Sequence, residues 1–259
     1  MLLDAIVLAG GRSSRLSGTP KSGLVLDGAT LLERTVLAAS DARHVAVVGD
    51  PGALPPASLL SPRLLLTRET PEYAGPAAGI AAGMAVLDAL APSPSDGVLV
   101  LACDMPSVAT AVVALLAATS VESPGAIAVD AEGHPQFLTA VYPTRALADA
   151  LAAHADALEG LPVRALLASM TLLEVRVPRG STDDVDTWED AARLGVVAPE
   201  PAPGEHEIAV AAAAVPPATS VPPAASVPSA ASVEPTASGS AGSAPSRGST
   251  PAFPRQEPS

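Results

Sequence analysis

The chain has 259 residues, a formal net charge of −13 and a single cysteine, Cys103. The acidic balance argues against a nucleic-acid partner, because binding a phosphate backbone needs a Lys/Arg surface that releases counterions. One cysteine excludes an internal disulfide and any multi-cysteine metal site, and it is consistent with the reducing cytoplasm, where we expect the protein.

Two apolar stretches, one at the N-terminus and one at 97–119, raise the question of a secretory or membrane segment. The first contains Asp4 and has no basic residues before it, so it lacks the pattern of a signal peptide. The second is interrupted by Asp104 and Pro106, and a membrane helix would bury that carboxylate in hydrocarbon. We therefore expect no membrane segment.

Composition divides the chain into two parts. From about Val197 onward the sequence is Ala, Pro, Ser and Val with almost no bulky side chain. Such a segment cannot bury enough apolar surface to offset the ordering entropy, roughly 1–2 kcal/mol per residue for the backbone alone. The prediction is one folded domain at 1–196 and a disordered tail at 197–259 with no catalytic role.

Strands and helices are predicted to alternate along the folded part. Leu3 to Leu8 is an apolar run broken only by Asp4, and paired glycines follow soon after it, which is typical of a strand buried on both faces of a parallel sheet. Thr30 and Glu33 form a T-x-x-E capping box, which predicts a helix to about Ala39. The later elements are predicted as strands at 44–48 and 64–67, a helix at 76–90, a strand at 97–102, a helix at 108–118, strands at 126–129 and 137–142, helices at 144–153 and 162–169, a strand at 172–177 and a helix at 187–194.

This alternation predicts an α/β fold of the Rossmann-like three-layer α/β/α type with a mostly parallel sheet. Ligands of such sheets bind at the carboxyl ends of the strands. The rule places two features at the same edge: the glycine-rich loop after the first strand, and Asp104 after a central one.

The strongest chemical signal is the loop LAGGRSSRLSGTPK at 8–21. It is neither a P-loop, which needs adjacent Gly-Lys-Ser/Thr, nor a dinucleotide-binding G-x-G-x-x-G. Its glycines allow backbone N–H groups to approach a polyphosphate, and Arg12, Arg15 and Lys21 offset the phosphate charge. Lys21 is the only lysine beside thirteen arginines. This indicates a need for a compact ammonium on a flexible stem, against the alternative of a lysine left by chance on a solvated loop.

The loop resembles the signature of the nucleotidyltransferase family that includes the molybdenum cofactor guanylyltransferases, which is close to L-A-G-G-x-S-x-R-M-G-x-x-K. Four further blocks are similar to the family's segments in the same order: YAGPAAG at 73–79 to Gly-Pro-Leu-Ala-Gly, CDMP at 103–106 to Cys-Asp-x-Pro, HP at 134–135 to His-Pro, and DVDTWED at 184–190 to Asn-x-Asn-Thr-Pro-Glu-Asp. Together the blocks span nearly all of 1–196. The chain departs from the pattern at Leu16, in place of Met, and at Trp188, in place of Pro. The implied fold is that of the nucleotide-diphospho-sugar transferases.

The resemblance implies a nucleotide site. Lys21 would bind the phosphates and Asp104 would hold Mg²⁺, and the chemistry of Asp104 agrees because hard divalent cations prefer carboxylate oxygen and bridge substrate phosphates. The alternative for Asp104 is an N-cap of the following helix. The backbone of the loop would contact the nucleotide at Leu8, Ala9, Gly10 and Gly11.

Asp186 has two possible roles. It would complete the metal shell, or Asp184 and Asp186 would only cap the last helix.

Glu69 lies where the family often places an acidic residue that reads the base. A carboxylate pairs with the N1–H and N2–H₂ donors of guanine and cannot pair in this way with cytosine. The motif can also be aligned one residue earlier, which would place Arg68 at this position. The identity of the base is therefore open.

Two other residues in or beside the matched blocks have less specific interpretations. His134 is either a local hydrogen-bonding residue or a contact for the acceptor. Cys103 is expected to be a small core residue at the strand end rather than a nucleophile.

The resemblance implies transfer of GMP from GTP to a molybdopterin-type molybdenum cofactor, with Mg²⁺ and release of pyrophosphate. The acceptor's terminal phosphate would attack the α-phosphorus in line, while Lys21, Arg15 and the Mg²⁺ on Asp104 stabilise the anionic transition state. The alternatives are a cytidylyl- or other NMP-transferase with a different phosphorylated acceptor, and a non-catalytic nucleotide-binding relative. Paired Gly10-Gly11 favours the guanylyl branch, because relatives that use CTP more often have Ala-Gly. The sequence does not predict an oligomeric state.

Overall fold

The computed structural model describes residues 1–11, 13–49, 63–90 and 94–199. Within these ranges the strands and α-helices are, in chain order, β1 (Leu3–Leu8), β2 (Val25–Leu26), β3 (Ala29–Thr30), α1 (Leu31–Ala38), β4 (Val45–Val48), β5 (Leu64–Thr67), α2 (Pro76–Leu90), β6 (Gly97–Ala102), α3 (Val108–Ala118), β7 (Ala126–Val129), β8 (Pro135–Pro143), α4 (Thr144–Ala153), α5 (Val163–Leu166), β9 (Leu173–Arg176) and α6 (Trp188–Leu194).

Seven strands form one sheet in the order β5-β4-β1-β6-β8-β7-β9. Neighbouring strands are parallel except where β8 is involved, because β8 runs antiparallel to both β6 and β7. The central strands β1, β4 and β6 are almost entirely buried, which explains why their sequences are apolar apart from Asp4. The predicted mostly parallel sheet is confirmed.

Helices cover both faces of the sheet. One core cluster joins Val7 of β1 to Leu32 of α1 and Leu115 of α3. The other joins Ile6 of β1 to Ile80 of α2, and it extends to α4 and α5. Adjacent residues of β1 therefore pack against helices on opposite faces of the sheet, as the alternation of side chains along a strand requires. The three-layer α/β/α architecture is confirmed.

Most predicted elements agree with the structure to within one or two residues. The capping box of α1 is present, since Glu33 N donates to Thr30 Oγ1 at 3.1 Å and Thr30 N donates to Glu33 Oε2 at 2.5 Å. The helix predicted at 162–169 is shorter and covers only Val163–Leu166. The hairpin β2–β3 was not predicted, although its Asp27-Gly28 turn has φ values of 55° and 81°, the left-handed pair that a tight hairpin uses.

The end of the described chain returns to this hairpin. Val197 exchanges two backbone hydrogen bonds with Val25, at 2.8 and 2.9 Å. Of the tail predicted at 197–259, the structure describes only residues 197–199. The domain boundary at 196 therefore stays a prediction. No helix formed by the described residues is both long enough and apolar enough to cross a membrane.

A buried ion pair fixes the amino end of β1. Asp4 is only 3% exposed and accepts from Arg43 Nη2 at 2.7 Å and Arg43 Nε at 3.1 Å, while the backbone N–H of His44 adds a bond of 3.2 Å. Burial alone would raise the pKa of Asp4, but the hydrogen bonds and charge of Arg43 lower it below its usual value. The pair ties β1 to the start of β4.

Replacing Asp4 by Asn should therefore destabilise the fold by about 2 kcal/mol, because the neutral amide leaves the Arg43 charge without its partner. Since folding lowers the pKa of Asp4, this contribution is present above the unfolded value of about 3.9 and is lost as the pH falls through the folded value. Urea unfolding should show a constant difference between wild type and Asp4→Asn near neutral pH and a shrinking one below about pH 4. Asp149→Asn, at an exposed position of α4, is the control. Equal urea midpoints for wild type and Asp4→Asn at neutral pH would contradict the prediction.

Candidate active site

A cleft of about 390 Å³ opens at the carboxyl edge of the sheet. Its walls come from the loop after β1, the ends of β4 and β6, and the start of α2, and they include Leu8, Gly10, Lys21, Glu69, Gly75 and Asp104. A smaller recess of about 150 Å³ adds Ala9 and Ser13 and shares Gly10, Gly11, Lys21 and Glu69 with the cleft. All the residues predicted to bind the nucleotide therefore border this one region.

Lys21 connects three distant segments of the chain. Its Nζ lies 2.9 Å from Asp104 Oδ2 and 2.5 Å from Asp186 Oδ1. Lys21 begins a short 3₁₀ turn after Pro20, Asp104 follows β6, and Asp186 precedes α6. Burial alone would lower the pKa of Lys21, but the charges of Asp104 and Asp186 and their hydrogen bonds raise it above its usual value.

A third carboxylate lies in the same cluster. Asp104, Asp184 and Asp186 each offer an oxygen, and these three atoms lie within 4.8 Å of one another. Burial raises the pKa of Asp184, and the like charges of Asp104 and Asp186 raise it further. From the sequence, the one role expected for Asp184 was that of a cap for the last helix.

Helix capping accounts for none of these three carboxylates. The N-cap of α6 is Thr187, whose Oγ1 accepts from Asp190 N at 3.1 Å while Asp190 Oδ2 accepts from Thr187 N at 3.0 Å. Helix α3 begins after Ser107 rather than after Asp104. The carbonyl of Asp104 instead accepts from Val185 N at 3.0 Å, which holds the segment that carries Asp184 and Asp186 beside the end of β6.

The donor set fits a hard divalent cation. Carboxylate oxygens are the ligands that Mg²⁺ prefers, and they must lie close together to share one ion. The cluster already accommodates a positive charge, because the Lys21 ammonium contacts two of the three acids. These residues could therefore hold a metal ion that also contacts a ligand in the cleft.

Glu69 lies where the cleft and the smaller recess meet. Its Oε1 accepts from Tyr73 N at 3.1 Å, which holds the carboxylate in the turn before α2. Arg68, the other residue that the alignment slack allowed, borders the recess but not the cleft, and its Nη1 lies 2.8 Å from Glu72 Oε1. The geometry therefore favours Glu69 as the residue that faces a ligand in the cleft.

The remaining predicted residues lie around the rim or outside it. Arg15 is 73% exposed, with Nη1 3.7 Å from Asp186 Oδ2. His134 is 76% exposed in the β7–β8 turn, where Asp130 Oδ1 accepts from its backbone N–H at 2.8 Å. Cys103 is buried, and burial raises the pKa of its thiol, so it is confirmed as a core residue. Arg12 lies outside the described residues.

Residues 5–175 match the model of the MobA-like NTP transferase domain. The chain belongs to this family. The resemblance found in the sequence motifs is thereby confirmed, and the glycine loop, Lys21 and Asp104 all lie within the matched range.

Named relatives agree with this assignment. A molybdenum cofactor guanylyltransferase of Rhizobium meliloti (strain 1021) is 38% identical over 185 residues, which cover 67% of this chain and 78% of the relative. A protein of the same name from Mesorhizobium japonicum is 36% identical over 148 residues, or 55% of this chain and 67% of the relative.

Solved structures support the fold of this MobA-like chain. The molybdopterin-guanine dinucleotide biosynthesis protein A of Archaeoglobus fulgidus has a TM-score of 0.52 at 23% identity, with 74% of this chain and 96% of that one covered. A 2-C-methyl-D-erythritol 4-phosphate cytidylyltransferase of Thermus thermophilus has a TM-score of 0.54 at 21% identity, with 75% and 97% covered. At these identities the likeness concerns the fold and not the substrate.

Gly49, which follows β4, contributes to the site of this MobA-like domain, a role that was not predicted from the sequence. A Cβ on Gly49 would lie 2.7 Å from the carbonyl carbon of Ala9 and 2.9 Å from Gly10 N. Both neighbours are backbone atoms of the glycine loop, so rotation of a side chain could not relieve the clash. The only sign of this in the sequence is a glycine directly after the strand predicted at 44–48.

The substitution Gly49→Ala should push the loop out of position. We expect a loss of about 2 kcal/mol in unfolding free energy from overpacking. We also expect a loss of roughly tenfold or more in GTP affinity, because backbone N–H groups would no longer align with phosphate oxygens. Urea unfolding and calorimetric titration with GTP and Mg²⁺ measure the two effects. Gly23→Ala is the matched control, because a Cβ there meets nothing within 4 Å. Undiminished GTP affinity in Gly49→Ala would contradict this role.

Proposed function

We propose that this protein transfers GMP from GTP to a molybdopterin-type molybdenum cofactor and releases pyrophosphate. The observation that carries the proposal is the convergence of Lys21, Asp104 and Asp186 at the edge of the cleft lined by the glycine loop. The names of two relatives at 36–38% identity support the guanylyl group and the acceptor. We place the reaction in the cytoplasm as part of the same proposal.

The glycine loop binds the triphosphate in this scheme. Gly10 and Gly11 border the cleft, and a Cβ on Gly11 would be strained at its φ of 139°. Glycine there lets the backbone N–H groups approach the phosphates closely. Leu8 and Ala9 contribute backbone contacts on the side of β1. Lys21 donates its ammonium to the phosphates once the nucleotide offers oxygens that replace those of Asp104 and Asp186.

In this proposal Asp104 and Asp186 would hold Mg²⁺. The bound cation would neutralise charge on the phosphates and make the α-phosphorus a better electrophile. Lys21 stabilises the leaving pyrophosphate, and the exposed Arg15 is near enough to Asp186 to assist. The chain needs no nucleophile of its own, because the acceptor phosphate already carries an ionised oxygen. Catalysis is therefore positioning and electrostatic stabilisation.

Glu69 selects the base in this proposal. Its carboxylate accepts from the N1–H and N2–H₂ groups of guanine, while Tyr73 N keeps it in place. The β7–β8 turn with His134 follows the carboxyl end of β7, at the same edge of the sheet as the end of β6, and supplies a contact for the acceptor. The tail at 197–259 has no part in this chemistry.

Asp104→Asn should lower Mg²⁺-dependent pyrophosphate release from GTP and the molybdopterin acceptor by on the order of 10³-fold, because the amide is a poorer ligand for the cation than a carboxylate. A coupled phosphate assay with added pyrophosphatase measures the rate. Asp88→Asn, at an exposed position on α2, is the control and should keep the wild-type rate. Wild-type activity in Asp104→Asn, or none in the wild type with this acceptor, would overturn the proposal.

The same assay with GTP, CTP, ATP and UTP tests the base assignment. A preference for GTP by a factor of about 10² or more is expected, because other bases leave the Glu69 carboxylate without the pair of donors. A preference for CTP would assign the protein to the cytidylyl alternative and leave the fold and the metal site standing. Binding of GTP with no pyrophosphate release from any triphosphate and acceptor would support the non-catalytic alternative.

A further inference from the structure

Ser22 carries a buried hydroxyl that has no hydrogen-bond partner. The residue is only 2% exposed, and its Oγ is the one buried side-chain oxygen or nitrogen in the described ranges that forms no hydrogen bond. Buried polar groups in folded proteins are nearly always paired, so an unpaired hydroxyl needs an explanation. Alanine would fill the same position without the cost of removing a hydroxyl from water. The family motif at 8–21 ends at Lys21 and gives Ser22 no role.

Ser22 borders the recess of about 150 Å³ beside the cleft, where several other hydrogen-bond donors are found. Within the described residues, the backbone N–H groups of Gly10 and Gly11 donate to no carbonyl. The Lys21 ammonium can only donate. Glu69, the one acid among the described residues around the recess, lies at the junction with the cleft. Clustered N–H and O–H groups of this kind are the chemistry of an anion site.

The size of the recess limits which part of a nucleotide it can hold. Pockets that enclose a whole drug-sized ligand have volumes of roughly 300–1,000 Å³. The cleft, at about 390 Å³, reaches this range, whereas the recess, at about 150 Å³, does not. A nucleoside therefore fits the cleft, and the recess suits a compact anionic group such as the terminal phosphates of a triphosphate.

Ser22 is coupled to Lys21 through the backbone. The two residues belong to the same three-residue 3₁₀ turn, Lys21–Gly23. In the structure the Lys21 ammonium contacts Asp104 and Asp186, and the Ser22 hydroxyl is covered. In the proposed reaction Lys21 leaves these two acids for the phosphates. A change in the position of Lys21 therefore also changes the surroundings of the Ser22 hydroxyl.

We propose that Ser22 binds the terminal phosphates of the nucleotide. As Lys21 moves to the triphosphate, the shared turn brings the Ser22 hydroxyl into the recess, where it donates to a phosphate oxygen. The same hydroxyl holds inorganic pyrophosphate, the leaving group, after the transfer. The inference rests on the proposed function, from which it takes the triphosphate.

Calorimetric titration of the full chain with inorganic pyrophosphate and with GTP, both with Mg²⁺, tests this role. Ser22→Ala should bind both ligands at least about tenfold more weakly than wild type, because it lacks a hydrogen bond to a charged group. Its melting temperature without ligand should lie within about 2 °C of the wild-type value or above it, because the hydroxyl has no partner to lose. The matched control is Ser40→Ala, at an exposed position between α1 and the amino end of β4, which should bind both ligands like wild type.

Ser22→Cys separates a lost contact from lost packing, since a thiol fills the space of the hydroxyl but is a weak donor. It should show the same loss of affinity as Ser22→Ala. Wild-type affinity for pyrophosphate in either variant, or no pyrophosphate binding by wild type, would overturn the inference. The measurement requires no acceptor and no turnover. A protein that binds pyrophosphate through Ser22 but never transfers GMP would therefore contradict the proposed function and leave the role of Ser22 intact.

Discussion

The contact of one ammonium with two carboxylates determines how the candidate active site is assembled. Lys21, Asp104 and Asp186 come from three segments that are far apart in the sequence, and the Lys21 Nζ lies within hydrogen-bond distance of both acids. The pair of contacts orients the end of the glycine loop toward the end of β6. The Lys21 ammonium also compensates the negative charges of Asp104 and Asp186, which would otherwise repel each other in this partly buried position. A triphosphate with a divalent ion can replace these contacts, because its oxygens bind the ammonium and its cation binds the carboxylates.

The sheet makes this contact possible by bringing chain segments together at its carboxyl edge. Strands β1 and β6 are direct neighbours with six paired residues, so the loop after Leu8 and the turn after Ala102 start side by side. Small residues then allow close approach around β1. Gly49 lets the end of β4 contact the loop backbone, and Gly83 lets α2 pack against Ile6, where a Cβ would lie 2.8 Å from a methyl carbon. The cleft depends on these close contacts as much as on the polar residues that line it.

The sequence predicted much of the fold because its signals are local. The apolar run of β1, the capping box at Thr30 and the interior strand at 97–102 each depend on a few neighbouring residues, and all three are confirmed. The pairing of Lys21 with Asp104 was also foreseeable, since parallel strands place both at one edge. The hairpin β2–β3 was missed because strands of two residues have no periodicity to detect. Two further features depend on tertiary contacts between distant residues: the role of Gly49 beside Ala9, and the place of Asp184 in the acidic cluster.

The central claim is that nucleotide and metal release Lys21 from its two carboxylates. Because the chain has a single lysine, protein labelled with ¹³C and ¹⁵N only in lysine gives one side-chain Cε resonance in NMR spectra. That resonance should move when GTP and Mg²⁺ are added, as the ammonium exchanges carboxylate partners for phosphate oxygens. A Cε resonance that stays unchanged at GTP and Mg²⁺ concentrations where calorimetry shows the nucleotide to be bound would contradict the claim.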